Sequence, residues 1–139
     1  MRVAFDSSAL AKRYVLERGS DRVAELCARA EEVILSVVCI PEILSALNRL
    51  RRERLLTRNR YVRIKRALAA DVEQATVLAI TPPVLGRTVA ALEKAPLRAL
   101  DAIHVATGLD SACELFVSAD KRQCDAARKM GLTVELVGA

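Results

Sequence analysis

Short apolar runs alternate with amphipathic segments along the whole chain. Runs typical of β-strands occupy residues 2–5, 33–38, 76–80, 115–118 and 133–136. Apolar residues at helical spacing predict helices at residues 9–16, 21–30, about 40–50, 58–73, 84–92, 97–108 and 121–130. Strands separated by helices are typical of a parallel sheet with helices on both faces. The pattern therefore predicts an α/β fold, a three-layer sandwich around a central parallel sheet.

The segment 97–108, L-R-A-L-D-A-I-H-V-A-T-G, is apolar but carries one acid near its start. Its predicted buried stripe consists of Leu100, Ile103, Ala106 and Leu109. Asp101 and His104 fall together on the neighbouring stripe. A carboxylate this close to a core loses solvation unless a cation or hydrogen-bond donors compensate. Asp101 is therefore a candidate functional residue.

Composition favours one compact domain over residues 1–139. Hydrophobic residues make up 53% of the chain but aromatic residues only 3%, so we expect a core of Leu, Val, Ile and Ala. No apolar run reaches the roughly 18 residues of a membrane span, and the amino terminus has no signal-peptide core. We therefore expect a soluble cytoplasmic protein. The four cysteines lack C-x-x-C spacing, which favours buried reduced thiols over zinc ligands or disulfides.

Three further acids lie where predicted strands end. Asp6 closes the first strand, Glu42 lies in the first turn of the helix after the second, and Asp120 follows strand 115–118. The carboxyl ends of parallel strands point the same way, so we expect these acids to meet Asp101 at one edge of the sheet. Clustered carboxylates favour a divalent cation with oxygen ligands, Mg²⁺ or Mn²⁺, because no Cys or His cluster offers a softer site. Such a site fits metal-assisted hydrolysis of a phosphodiester.

Each of these acids also has a simpler interpretation. Asp6, Glu42 and Asp120, taken singly, are typical of helix N-caps or of first-turn acids that complement a helix dipole. Their joint placement after strands, together with Asp101, is what favours a functional site.

Three other polar residues lie near these acids. We expect His104, the only histidine, to pack against the core or to hydrogen-bond an acid. Asp125 is expected on a solvated helix face, with a water-mediated role at the site as the alternative. Asp110 is an extra acid beside the segment 97–108.

Four motifs together resemble a known family. They are V-A-F-D-S-S, I-P-E-I-L-S-A-L-N-R, L-R-A-L-D-A-I-H-V-A-T and F-V-S-A-D-K-R-Q-C-D-A-A-R-K-M-G-L. In this order and at these spacings they resemble a PIN-domain ribonuclease over nearly the whole chain. The size of the chain makes it most similar to a VapC-type toxin of a toxin–antitoxin pair.

The resemblance implies a PIN-like fold and a Mg²⁺-dependent endoribonuclease in which Mn²⁺ is able to substitute. It assigns catalysis and metal binding to an acidic quartet, Asp6, Glu42, Asp101 and Asp120. It also implies Ser8 and Ser118 as hydrogen-bonding helpers in the pocket. The partners that it implies are an RNA substrate, a cognate antitoxin protein and a second copy of the chain in a homodimer.

Two other classes of protein stay open. A phosphoacceptor receiver domain also has acids at strand ends, and Asp120-Lys121 imitates part of that arrangement. Against it, Ser7 and Ser8 stand where a second acid would follow Asp6. The other alternative is a PIN-like module that binds RNA without cutting it, which the intact quartet argues against.

Positive charge is concentrated in one region of a chain whose formal net charge is +5. Between Arg49 and Arg66 the only acid is Glu53, and we call this segment the basic ridge. Such a surface is commonly just solvated, but beside an acidic site it fits a rim that grips phosphates. Tyr14 and Tyr61 are the aromatic candidates for base stacking. Because they are so few, recognition of RNA is expected to depend on its backbone and shape.

Overall fold

The computed structural model describes all 139 residues and contains one five-stranded sheet. Its strands are β1 (Arg2–Phe5), β2 (Glu32–Ser36), β3 (Thr76–Leu78), β4 (Leu115–Ser118) and β5 (Val134–Leu136). The spatial order is β3-β2-β1-β4-β5, and every neighbouring pair is parallel. The predicted α/β fold with a central parallel sheet is therefore confirmed, although β2 and β3 end earlier than predicted.

Seven α-helices and one short 3₁₀ helix connect the strands. They are α1 (Ser7–Leu10), the 3₁₀ helix (Ala11–Arg13), α2 (Ser20–Arg29), α3 (Cys39–Arg52), α4 (Arg58–Gln74), α5 (Pro82–Lys94), α6 (Ala99–Asp110) and α7 (Lys121–Lys129). No helix combines the length and the apolar character that crossing a membrane requires.

Alternating side chains of the strands enter two separate cores. In β1, Val3 and Phe5 join a core with residues of α1 to α4, whereas Ala4 joins a second core with Val105 of α6 and Ala127 of α7. The neighbours β2 and β4 divide their side chains in the same way. The sheet thus lies between two helical layers, with α5 packed against α6, as the three-layer prediction requires.

Two helix starts differ from the prediction because of local capping. The segment predicted as helix 9–16 forms two elements, α1 and the 3₁₀ helix that follows it. Helix α1 begins at Ser7 because Asp6 accepts the backbone N–H of Ala9. Helix α5 begins at Pro82 and so includes Pro82 and Pro83, which precede the predicted helix 84–92. Thr81 caps this helix, and a proline in the first turn lacks only an N–H that has no helical partner.

Helix α6 buries different side chains from the predicted stripe. Leu100 is 44% exposed, and Ile103 and Leu109 are only half-buried, so the predicted stripe is wrong except at Ala106. The buried residues of the helix are Ala102, His104, Val105, Ala106, Thr107 and Gly108. The reason is that α6 packs against α5, α7 and the sheet, so its burial does not follow a single stripe.

All four cysteines are free. Cys39 and Cys124 are buried, and Cys27 and Cys113 are half-buried. Burial raises the pKa of Cys39 to about 12 and that of Cys124 to about 11, so both remain protonated at neutral pH. A protonated buried thiol is a poor metal ligand, which leaves oxygen atoms as the main ligands for a cation.

Candidate active site

The predicted acids lie at the carboxyl-terminal edge of the sheet. Asp6 directly follows β1, Asp120 comes just after β4, and Glu42 lies in the first turn of α3, which follows β2. These three strands are neighbours in the sheet. Asp101 lies in the first turn of α6, and His104, one turn further along, contacts Glu42. Strand order and the contact between α6 and α3 therefore direct all four acids to one region.

Asp6 lies buried under a set of hydrogen-bond donors. Its side chain is 2% exposed, and Oδ1 accepts the N–H of Ala9 at 2.8 Å. Ser8 Oγ lies 2.8 Å and 2.9 Å from the two carboxylate oxygens, and the Ser118 hydroxyl donates to Oδ2. Burial raises the pKa of Asp6, and these donors offset only part of that effect. Both predicted helpers, Ser8 and Ser118, therefore lie against this one acid.

Glu42 makes two hydrogen bonds through a single oxygen. Ser7 Oγ donates to Oε1 at 2.7 Å, and His104 Nε2 is hydrogen-bonded to the same atom. Partial burial alone would raise the pKa of Glu42, but the hydrogen bonds from His104 and Ser7 outweigh it and hold the pKa below its usual value. Glu42 is therefore a carboxylate at neutral pH. The structure shows the second of the two roles expected for His104, a hydrogen bond to an acid.

Asp120 and Asp101 are more accessible than Asp6. Asp120 caps α7 by accepting the N–H of Arg122 at 2.9 Å, so both Asp6 and Asp120 are N-caps, as the simpler interpretation predicted. Asp101 Oδ2 pairs with Arg98 Nε at 3.3 Å. Because the Arg98 side chain is 87% exposed, this ion pair contributes little to stability.

Three of these carboxylates keep one oxygen without a protein hydrogen bond. They are Glu42 through Oε2, Asp101 through Oδ1 and Asp120 through Oδ2. An all-oxygen set of donors is the chemistry that Mg²⁺ and Mn²⁺ prefer, so the residues fit such a cation in kind. In this structure, however, no three His, Cys, Asp or Glu side chains lie close enough together to hold a metal ion. The four acids thus lie at the same edge of the sheet, but their side chains are not arranged to coordinate a metal ion.

A cleft of about 560 Å³ opens beside Glu42. Its walls carry Arg49 and Arg52 from α3 and Arg98 from the segment before α6, and the exposed Leu100 also lines it. One carboxylate and three guanidinium groups thus share a single concave surface. Such a surface attracts an anion while it presents a negative group to that anion.

The basic ridge is electrostatically uncompensated. Its cations are Arg49, Arg51, Arg52, Arg54, Arg58, Arg60, Arg63, Lys65 and Arg66. None of them takes part in an ion pair of the protein. The ridge follows α3 and α4, and only its beginning, Arg49 and Arg52, reaches the cleft beside Glu42.

The two tyrosines expected to stack on bases are used inside the protein. Tyr14 is buried and donates to Asp71 at 2.6 Å. Tyr61 is half-buried, with its hydroxyl hydrogen-bonded to Asn48 and its ring under the guanidinium of Arg51 at 4.6 Å. Tyr14 was therefore wrong as a candidate for base stacking, because it is buried. Base stacking by the half-buried Tyr61 stays a prediction.

The extra acids form surface ion pairs. Asp125 pairs with Lys121 at 3.1 Å and with Arg128 at 3.2 Å and is 46% exposed, so it lies on the solvated face that we expected. Asp110 pairs with Arg87 at 3.5 Å. Neither contacts the quartet in this structure.

Comparison with protein families identifies the family to which the chain belongs. The sequence model of the PIN domain family matches residues 3–129, and the chain therefore belongs to the PIN domain family. Membership sets aside the receiver-domain alternative. No curated protein sequence matches the chain.

Solved toxin–antitoxin structures share the fold over nearly the whole chain. Similar structures include VapC20 of Mycobacterium tuberculosis, a sarcin–ricin loop cleaving toxin, with a TM-score of 0.69 and 15% identity over 94% of this chain and 96% of that one. VapBC2 from Rickettsia felis, bound to a promoter DNA fragment, has a TM-score of 0.70 and 8% identity over 98% of both chains. VapBC-1 from nontypeable Haemophilus influenzae has a TM-score of 0.66 and 13% identity over 98% of both chains. The architecture is that of the VapC-type PIN toxins, as the sequence motifs indicated.

Two residues of the site were not selected from the sequence. Ser7 served in the sequence analysis only as a reason against a receiver domain, yet its hydroxyl donates to Glu42. Arg98 lies outside the basic ridge, yet it pairs with Asp101 and lines the cleft. The available signal was position: Ser7 adjoins Asp6, and Arg98 lies one helical turn before Asp101.

We predict that Asp6→Asn stabilises the metal-free protein at neutral pH. Asn still accepts the N–H of Ala9 but avoids burial of a charge. The raised pKa means that the folded wild type retains a proton that the unfolded chain has already lost. Wild-type stability therefore falls as the pH rises from the ordinary Asp value of 3.8 through the higher folded-state pKa, and the variant lacks this loss. Thermal melting across this pH range, in EDTA, measures the difference.

Asp125→Asn is the matched control, because its carboxylate is exposed and paired with cations. Its melting temperature should stay equal to that of the wild type or fall slightly. A lower melting temperature for Asp6→Asn than for the wild type at neutral pH would show that the buried charge is not a net cost.

Proposed function

We propose that the protein is a metal-dependent endoribonuclease and the toxin of a toxin–antitoxin pair. The observation that carries this proposal is the placement of Asp6, Glu42, Asp101 and Asp120 at one sheet edge in a PIN domain, beside a cleft lined with arginines. VapC20, which shares the fold, is a toxin that cleaves the sarcin–ricin loop. For this chain the substrate class is RNA and the site of action the cytoplasm.

Each residue has a distinct part in this proposal. Glu42, Asp101 and Asp120 are the candidates to bind Mg²⁺ or Mn²⁺ through their unpaired oxygens, one or two of them directly and the others through water, with Asp6 as the buried fourth acid. The chemistry that a bound Mg²⁺ supplies is activation of water and stabilisation of charge on the phosphate. The guanidinium groups of the cleft grip the phosphates of the chain. Ser8 and Ser118 keep Asp6 in place by donating to it.

The first test concerns the cation. Cleavage of RNA should require added Mg²⁺ or Mn²⁺ and stop in EDTA, because no Lys or unpaired His lies in the site and the nearby thiols of Cys39 and Cys124 stay protonated, so that none acts as a general base. Asp101→Asn should abolish cleavage. Mg²⁺ at about one hundred times its Kd should stabilise the wild type by about 2.7 kcal/mol and the variant much less, as seen by thermal melting.

Two outcomes contradict the metal mechanism. One is cleavage that persists in EDTA after repurification of the protein. The other is an Asp101→Asn variant that cuts RNA and gains the same stability with Mg²⁺ as the wild type, since Asp101 would then be only a first-turn acid.

The second test separates the cleft from the rest of the basic ridge. Replacing Arg49 and Arg52 with Gln should weaken RNA binding and reduce the slope of log K against log salt by about 0.7 per lost phosphate contact. The matched control replaces Arg60 and Arg63, which lie on the same ridge but line a different groove with Tyr14. Filter binding over a salt series measures both.

Equal effects of the two double variants would mean that the ridge attracts RNA only by its overall charge. No effect of either would return the ridge to ordinary solvated surface. In neither case would the arginines of the cleft have a specific part in holding the substrate.

The partners proposed for the protein are a cognate antitoxin and a second copy of the chain. The similar structures of Rickettsia felis and Haemophilus influenzae are VapBC proteins. In this chain the exposed apolar residues Leu85, Val89 and Leu92 recur on one face of α5 and are available to an interface. A homodimer formed through this face would cover them.

Val89→Glu should therefore shift the protein from dimer to monomer in analytical ultracentrifugation. Leu16→Glu is the control, because Leu16 is 81% exposed and lies outside any helix. A wild type that is monomeric at micromolar concentration, and harmless when expressed without a partner, would contradict both the dimer and the toxin role.

A further inference from the structure

The only histidine of the chain lies buried at the point where three elements meet. His104 is 3% exposed in the middle of α6. Its Nε2 is hydrogen-bonded to Glu42 Oε1 of α3 and lies 3.1 Å from Ser7 Oγ of α1. Its other ring nitrogen, Nδ1, is buried without any hydrogen-bond partner. The proposed cleavage chemistry assigns no role to this residue.

The two contacts determine which ring nitrogen carries the proton. Glu42 Oε1 accepts the hydroxyl hydrogen of Ser7, and the same oxygen faces Nε2 of His104 as an acceptor. Nε2 must therefore carry a hydrogen and donate it. A hydrogen on Nδ1 would be a buried donor without an acceptor, which is unfavourable, so Nδ1 keeps its lone pair. The geometry thus assigns the neutral Nε2–H tautomer.

We propose that His104 and Ser7 are positioning residues that fix the Glu42 carboxylate by Oε1 and leave Oε2 available to a cation. This inference rests on the proposed nuclease function for its purpose, although its geometry does not. Ser7 adjoins the buried Asp6, so one hydrogen-bonded cluster connects the end of β1 with α3 and α6.

The cluster matters because Glu42 would otherwise be free to turn. Its side chain is 27% exposed, it lines the cleft, and it has three rotatable bonds. Two donors on one oxygen leave a single orientation for the other. Partners that orient a metal-binding side chain in this way commonly change metal affinity or activity by 10- to 100-fold when they are removed, roughly the effect expected here.

The first experiment is ¹⁵N NMR of the imidazole ring in metal-free protein at mildly alkaline pH. Because the chain has one histidine, the two ring nitrogens give a single unambiguous pair of signals. We expect a protonated Nε2 and an unprotonated Nδ1, and Glu42→Ala should move both signals. A ring protonated at Nδ1, alone or together with Nε2, would overturn the assignment.

The second experiment compares variants by Mn²⁺ affinity and by cleavage kinetics. His104→Leu fills the space but cannot donate, and should weaken Mn²⁺ binding and lower kcat by roughly 10- to 100-fold, with KM for RNA little changed. His104→Gln, whose amide N–H replaces Nε2–H, should restore most of this loss. Ser7→Ala should give a smaller loss in the same direction and covers the case in which His104→Leu fails to fold.

Thr107→Val is the matched control. Thr107 is buried on the same helix at 2% exposure and donates only to the backbone oxygen of Ile103, so its loss should affect stability but not Mn²⁺ affinity. If His104→Leu folds and binds Mn²⁺ as tightly as Thr107→Val does, His104 is merely a core residue and the proposal is wrong.

These outcomes distinguish failure of the inference from failure of the proposed function. A protein that never cuts RNA would refute the function, yet the tautomer and the Mn²⁺ affinities would still test the positioning of Glu42. A nuclease whose His104→Leu variant keeps normal kcat and Mn²⁺ affinity would refute only the inference.

Discussion

The constraint on which this structure depends is the parallel pairing of β1 with both of its neighbours. β1 pairs with β2 on one side and with β4 on the other, and all three strands run in the same direction. Residues that follow these strands are therefore neighbours in space although Asp6 and Asp120 are far apart in sequence. The pairing in turn requires that every central strand be apolar on both faces, which the two helical layers provide.

The second theme of the molecule is the contrast between its acids and its cations. The acids are constrained by short hydrogen bonds: Asp6 by three donors and Glu42 by two. The cations of the basic ridge are long and unpaired with acids, and all of them except the half-buried Arg51 are exposed. The acids are therefore held in defined positions, whereas the cations keep the freedom to follow a flexible polyanion. This division suits a site in which chemistry needs fixed geometry and capture of the substrate does not.

The sequence predicted the strands well, and with them which residues follow each strand, for physical reasons. Val3 to Phe5 and Leu115 to Val117 are apolar without interruption because both faces of the sheet are covered, so the signal is local. Leu100 could not be placed correctly in this way. Its exposure depends on how α5 and α7 surround α6, and that arrangement is a tertiary property. Ser7 was a similar case, because the turn geometry of α1 decides that its hydroxyl donates to Glu42 whereas that of Ser8 donates to Asp6.

The donors around Asp6 also have a kinetic meaning. Ser8 Oγ donates to Asp6 and accepts the N–H of Ala119, so this hydroxyl joins the loop after β1 to the loop after β4. Ser118 is completely buried, whereas Ser8 is exposed. Any ligand that takes an oxygen of Asp6 has to replace one of these hydroxyls, and only that of Ser8 can turn directly into water. A ligand therefore reaches the Asp6 carboxylate by replacing the Ser8 hydroxyl, which has to rotate away from Asp6. The same rotation breaks the hydrogen bond from Ala119 and so loosens the connection between the two loops.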